Sequence, residues 1–175
     1  MTDRVITPAD EEWPPQLDEL GPARPPKQLF VRGRPLEAGR RTVAVVGARR
    51  PTAAGIEAAE TLTRGLVEAG FAIVSGMAMG IDAAAHAAAI DAGGYTVAVL
   101  GCGLDVIYPA RNRQLRARIE SAGTLLTEYP EGTEPAAFHF PERNRIVAGL
   151  AAAVLFVEGG ERSGGLITAR AALDA

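Results

Sequence analysis

Cysteine, lysine and long apolar runs are almost missing from these 175 residues. The single cysteine, Cys102, cannot form an internal disulfide and cannot hold a metal alone. Lysine occurs once, as Lys27, so 17 of the 18 basic residues are arginine. No apolar run approaches the ~18 residues needed to cross a bilayer. Behind Met1-Thr2-Asp3-Arg4-Val5 there is no apolar stretch of the kind a signal peptide needs. A cytoplasmic protein with no membrane contact is therefore expected. An excess of one charge is also lacking: the net charge is −3, which excludes a generally sticky polycation. Nucleic-acid binding would have to come from a local cluster. What remains is an ordinary globular composition, 47% hydrophobic and 22% charged, with length enough for one domain and a full core.

The first forty residues differ from the rest. Pro8, Pro14, Pro15, Pro22, Pro25, Pro26 and Pro35 break any long helix or central strand. Residues 1–40 read as a proline-rich arm with one short strand, Gln28 to Arg32, turning at Gly33. From Val43 onward five continuous apolar runs follow: Val43–Val46, Phe71–Val74, Thr96–Leu100, Thr124–Thr127 and Ala153–Val157. Their starts lie 25 to 29 residues apart, close to one βαβ unit. Continuous rather than alternating runs suit strands covered on both faces. Between the first two runs an amphipathic helix is expected from Gly55 to Ala69, with Ile56, Ala59, Leu62 and Leu66 as its apolar stripe and Gly70 as its stop. Further helices are expected near 81–92, 110–122, 142–151 and 164–174. The alternation predicts an α/β fold over residues 41–175: a Rossmann-like, doubly wound, mainly parallel sheet with helices on both faces.

In such a sheet ligands bind beyond the carboxyl ends of the strands. Those ends carry Gly47-Ala48-Arg49-Arg50, Ser75-Gly76 leading to Gly80, Gly101-Cys102-Gly103, Glu128-Tyr129-Pro130, and Glu158 leading to Arg162-Ser163-Gly164-Gly165. Glycine lets the backbone approach a ligand and turn its N–H groups towards an anion. Taken singly, each of these glycines also fits a tight turn or close packing. Together with Arg49, Arg50, Arg162 and Ser163 they describe an edge suited to phosphates. A dinucleotide is opposed by the details: no G-x-G-x-x-G turn follows the first strand, and Ser75-Gly76 stands where an acidic residue would meet the ribose. No Walker A loop occurs either. No cofactor and no metal are expected.

The segment Phe138-His139-Phe140-Pro141-Glu142-Arg143-Asn144-Arg145 fits two readings. Aromatic rings beside arginines on a loop entering a helix suit stacked bases and neutralised phosphates. Alternatively, Phe138 and Phe140 anchor the core and Glu142 pairs with an arginine. Arg143 and Arg145 cannot share one helix face. His86, among alanines, is expected to be a hydrogen-bonded helix residue, and Asp82 to support the turn before its helix. Asp105 and Tyr108 are expected to shape the loop after Gly103. Cys102 has no His–Asp arrangement to activate it, so no nucleophile is assigned. Arg111, Arg113, Arg116 and Arg118 read as solvated surface.

These same segments carry a family resemblance. Val43 to Thr52, Val74 to His86, Ala98 to Asp105 with Tyr108-Pro109, Glu128-Tyr129-Pro130, Phe140 to Leu150 and Ser163 to Ala169 are similar, in order, to the motifs of the bacterial DNA-processing protein A (DprA/Smf) family. Leu29-Phe30-Val31-Arg32-Gly33 resembles its lead-in. The resemblance implies a protein that is not an enzyme: it binds single-stranded DNA and helps load a RecA-type recombinase during natural transformation, usually as a homodimer. It implies that Arg49 meets a phosphate, that Ser163, Gly164 and Gly165 offer backbone donors, and that Phe140 stacks a base. It also implies that Arg143, Asn144 and Arg145 organise that wall. Met79 departs from the pattern where many relatives carry a basic residue, and Gly165 where a small hydroxyl residue is common. Ala175 falls inside the last predicted helix, where the family pattern runs on into another strand, so the chain reads as a fragment or a shortened member. The alternatives are a nucleoside-monophosphate phosphoribohydrolase of the lysine decarboxylase-like group and a nucleotide or cofactor carrier. The first needs a Pro-Gly-Gly-x-Gly-Thr turn and a following glutamate, and Glu158 to Thr168 supplies neither that proline nor that glutamate.

Overall fold

Apolar runs that alternate between two buried faces build the centre of the molecule. In chain order the elements are β1 (Arg4–Ile6), a 3₁₀ turn (Pro15–Glu19), β2 (Leu29–Gly33), β3 (Thr42–Val46), α1 (Ala53–Glu68), β4 (Ala72–Ser75), α2 (Ile81–Asp91), β5 (Thr96–Leu100), a second 3₁₀ turn (Ala110–Asn112), α3 (Arg113–Ala122), β6 (Thr124–Thr127), α4 (His139–Gly149) and β7 (Ala153–Phe156). This computed structural model describes residues 3–20, 24–37 and 39–160. Among them the strands form one seven-stranded sheet in the order β1-β2-β6-β5-β4-β3-β7. The pairs β3–β4, β4–β5, β5–β6 and β3–β7 are parallel, while β1–β2 and β2–β6 are antiparallel.

The strand order runs outward from β3 to β6 and then returns to place β7 on the other side of β3. Right-handed crossovers therefore put α1, α2 and α3 on one face and α4 on the other. Side chains divide accordingly. Ala44, Val46, Val74, Val97, Val99 and Leu126 pack with Ile146, Val147 and Leu150 of α4. On the opposite face Val45 and Ile73 pack with Ala59, Ile81 and Ala85, and Ala98, Leu100 and Leu125 pack with Ile119. The Rossmann-like α/β fold expected from the run spacing is thus present. The order reverses at the carboxyl ends of β3 and β7, which is where an open α/β sheet presents its crevice.

Two features differ from expectation. On α1 the inward positions are Gly55, Ala59 and Thr63, spaced four apart, and Leu62 is 46% exposed. Small residues let α1 approach the alanine-rich α2 closely, and that rotation carries Leu62 outward. The proline-rich beginning of the chain also carries a second strand, β1, and it buries Trp13, Leu17 and Leu20 in the α4-side cluster. The helix expected at 164–174 lies outside the described residues.

Candidate nucleic-acid interface

The loop after β4 forms the floor of a cleft at the carboxyl edge of the sheet. Its path is demanding: Met77 has φ of 60° and Gly80 φ of 82°. A Cβ on Gly80 would stand 2.2 Å from the Ala48 carbonyl oxygen, so this position requires glycine. Two side chains hold the loop. The Asp82 carboxylate accepts from the backbone N–H of Gly76 (3.0 Å) and of Ala78 (3.3 Å). Asn112 Nδ2 donates to the Met77 carbonyl at 3.0 Å. Asp82 thus supports the turn before its helix, as its sequence position suggested.

Arg143 enters from the other face of the sheet. It projects from α4, is buried, and donates from Nη1 to the carbonyls of Gly76 (2.6 Å) and Val99. Those two carbonyls end neighbouring strands, so one guanidinium ties α4 to the middle of the sheet. Its Nε donates to Asn144 Oδ1 at 3.2 Å. Burial pulls its pKa down to about 10, against the attraction of Asp82, and nearby Arg49 pulls it down further. Arg143 therefore stays cationic at neutral pH. Burial pushes the Asp82 carboxyl up, opposed by Arg143 and by the two backbone N–H donors.

Above this floor the rim is aromatic and basic. The Arg49 guanidinium lies over the Phe140 ring, 5.4 Å from its centroid. The Tyr108 ring stacks on Phe140 with centroids 5.5 Å apart and planes 29° apart. Arg49, Gly76, Gly101, Phe140 and Arg143, all singled out in the sequence, line one cleft, together with Met77, Ala78, Met79, Leu100, Cys102, Tyr108 and Pro109. Its enclosed volume is about 40 Å³.

The remaining expected residues sit elsewhere. Arg50 is exposed beside Arg49. Ser75 is fully buried and its hydroxyl donates to the Val45 carbonyl at 2.6 Å. Gly47 packs against Ile81, and Gly103 against Asp105 and Pro130. Arg145 faces Glu128, with Nη2 at 2.8 and 2.5 Å from the two carboxylate oxygens. Both helix arginines are thus turned into the protein, by different routes. Ser163, Gly164 and Gly165 lie outside the described residues. Asp105 shapes its loop as expected, accepting from the Gly132 N–H at 2.9 Å. Arg116, expected at the surface, is instead buried and donates to the Val106 (2.6 Å) and Leu104 carbonyls, clamping the loop that follows β5. That loop leaves its carbonyls without strand or helix partners, and an arginine on the adjoining α3 supplies the missing donors.

One potential anion position is already filled. At the start of α1 the Glu158 carboxylate accepts from Thr52 N (2.9 Å) and Thr52 Oγ1 (2.7 Å). A protein carboxylate thus occupies the helix N-terminus that holds the pyrophosphate in dinucleotide-binding folds. Cys102 is buried and its thiol is pushed up by burial, so it stays protonated. Among the described residues, no group of three or more metal-ligating side chains occurs and no helix is long and apolar enough to cross a membrane.

The fold and the cleft define a Rossmann-like protein whose basic, aromatic pocket opens at the carboxyl edge of the sheet. The chain belongs to the DNA recombination-mediator protein A family, whose model matches residues 4–175. It is 45% identical over 171 residues to the Protein Smf of Synechocystis, covering 95% of this chain and 42% of that relative. The chain therefore spans less than half of that relative's length. The X-ray structure of DNA processing protein A from Streptococcus pneumoniae superposes with a TM-score of 0.92 at 42% identity, over 99% of this chain and 60% of that one. DNA processing protein A from Helicobacter pylori, whose structure concerns its single-stranded DNA binding mode, superposes with a TM-score of 0.84 at 29% identity, over 98% of this chain and 76% of that one.

Proposed function

We propose that this chain binds single-stranded DNA at the cleft and performs no reaction on it. The observation that carries the reading is the exposed Arg49 guanidinium over the Phe140 ring, above the buried cationic Arg143. A phosphate meets Arg49, with Arg50 beside it. The buried charge of Arg143 adds to the attraction, although its own donors are spent on carbonyls. Aromatic rings at the rim give bases a stacking surface, and bases within a duplex are already stacked, so single strands are preferred. The backbone at Gly47, Gly76, Gly80, Gly101 and Gly103 shapes the edge, and Ser75, Asn144 and Arg145 hold it in place. The family resemblance adds Ser163, Gly164 and Gly165, which lie outside the described residues, as backbone donors to the strand. Family membership and the H. pylori relative support this reading. In the cell the chain acts in the cytoplasm and passes the strand to a RecA-type recombinase during transformation, the homodimer being the arrangement of the full-length family.

Fluorescence anisotropy with a labelled single-stranded oligonucleotide tests the proposal. Binding should weaken with rising salt, with a log–log slope of about −0.7 per neutralised phosphate. Duplex should compete poorly. Arg49→Ala should weaken binding at least about tenfold and flatten the salt slope by about one phosphate contact. Salt-independent binding, equal competition by duplex, or release of free base from a nucleotide would each overturn it.

A further inference from the structure

Towards the amino edge of the sheet, opposite the cleft, an apolar groove of about 640 Å³ lies between α1 and β7. Leu62 and Leu66 of α1, Phe71 before β4 and Leu155 of β7 line it. The groove follows from the rotation of α1. Gly55, Ala59 and Thr63 face inward, which leaves Leu62 46% exposed on the flank of the helix. Contiguous apolar surface left open by packing marks a place where another surface can lie.

Gly65 adds a second observation. It sits inside α1 and lines the groove, yet beyond its own helix backbone and chain neighbours no described atom stands within 4 Å of where its Cβ would be. Glycine weakens a helix interior, and here neither a turn nor a close contact within the fold requires it. Its bareness leaves room for another chain against the helix. Arg41 supplies a third observation, as the charged residue among those lining the groove. Its guanidinium lies over the Phe71 ring, 4.6 Å from the centroid. Among the described residues no carboxylate pairs with it, whereas neighbouring Arg40 is paired with Glu37 at 2.6 Å. A guanidinium resting on a ring keeps its in-plane N–H donors for an anion.

We infer that this groove docks a partner protein through an acidic segment that carries apolar side chains. A carboxylate of the segment pairs with Arg41, its apolar side chains lie on Leu62, Leu66 and Leu155, and its backbone passes over Gly65. A peptide fits better than other occupants. The groove is open to solvent at Leu62 and Gly65, whereas small-molecule sites enclose most of their ligand. Arg41 already covers the Phe71 ring, so a nucleobase finds no free face to stack on. A second copy in a twofold contact would bring the same arginine-bearing patch to both sides. The inference stands apart from the single-stranded DNA reading, since the groove and the cleft lie at opposite edges of the sheet.

The test uses a fluorescein-labelled peptide, Asp-Glu-Leu-Asp-Leu-Leu, and reads its anisotropy with the full chain. Beside it are a neutral peptide, with Asn and Gln for the acids, and a polar one, with Ser for each Leu. Wild type should bind the acidic peptide saturably and each altered peptide about tenfold more weakly. Arg41→Ala should bind the acidic and neutral peptides alike, because the carboxylate then has no partner. Gly65→Leu should weaken the acidic peptide at least about tenfold by filling the groove. Its Tm should stay at or above wild type, since leucine is the better helix former. Arg64→Ala, on α1 but paired with Glu60 and not lining the groove, should leave binding within about twofold. The inference is overturned if wild type does not bind the acidic peptide, if Gly65→Leu binds it as wild type does, or if Arg41→Ala still prefers it to the neutral one. A wild-type dimer in sedimentation that Gly65→Leu dissolves would assign the groove to a second copy, and would overturn the inference too.

Discussion

His86 sits on the alanine-rich α2 with no exposed surface, and its Nδ1 lies 2.7 Å from Thr96 Oγ1. The Thr96 hydroxyl donates to the Ile73 carbonyl at 3.0 Å, so its oxygen accepts from a protonated Nδ1, and Nε2 is left as an unpartnered buried atom. Burial, with a lesser push from the Arg143 charge, lowers the histidine pKa from 6.5 to about 3. The folded protein therefore keeps His86 neutral where the unfolded chain takes up a proton. This contribution to stability is fully present above pH 6.5 and is lost as pH falls from 6.5 towards 3, by about 1.4 kcal/mol per pH unit. Urea unfolding of wild type and His86→Gln between pH 6 and 4 should show a slope shallower in the variant by about that amount; identical slopes would refute a neutral, buried His86. The role of this histidine was legible in the sequence, because a lone histidine among alanines has few other uses. That of Arg143 was not. An arginine beside aromatics reads as a ligand contact, and only the tertiary structure shows that two strand-end carbonyls claim its donors.

At the scale of elements, the junction of β3, α1 and β7 is stitched by one carboxylate. Thr52 Oγ1 accepts from the Gly55 N–H at 3.0 Å as the cap of α1, and Glu158 accepts from Thr52 in turn. The Glu158 carbonyl also accepts from the Ala48 N–H at 2.6 Å. Thr52→Ala should cost about 1 kcal/mol through loss of the cap. Because Thr52 and Glu158 share one hydrogen-bond network, the double variant Thr52→Ala/Glu158→Ala should cost less than the sum of the single variants, by at least about 0.5 kcal/mol. Additive losses in denaturant titrations would mean that the two groups act independently. Strands were easier to locate than this junction. Thr96–Leu100 and Thr124–Thr127 fall where their apolar runs do, since strands buried on both faces leave little choice of boundary. Helix α4 begins at His139 rather than 142, because Pro141 lies in the first turn, where the backbone N–H has no helical partner to lose. That shift takes Phe140 out of a loop and fixes it on a helix.

For the molecule as a whole, the beginning of the chain is built into the sheet and into one of its two cores. Strand β2 pairs with β6 along four residues, from Phe30↔Thr127 to Gly33↔Thr124, and β1 pairs with β2. Three residues of β1 are too few to show a pattern, and the surrounding prolines hide the helical turn that places Leu17 and Leu20 against Gly149. That contact bears on α4, which carries Phe140 and Arg143 to the cleft from the opposite face of the sheet. Leu17 is fully buried, so Leu17→Ala should cost about 2–5 kcal/mol, the range for leucine truncation in a closed core. A peripheral arm would instead lose about 0.5 kcal/mol or less. The same truncation should weaken single-stranded DNA binding, since α4 loses part of the surface that seats it. Arg49→Ala should act differently, weakening binding while thermal unfolding stays near wild type, because Arg49 is exposed. Parallel unfolding and anisotropy measurements on the two variants separate these effects. A Leu17→Ala chain as stable as wild type would place residues 1–20 outside the cooperative fold.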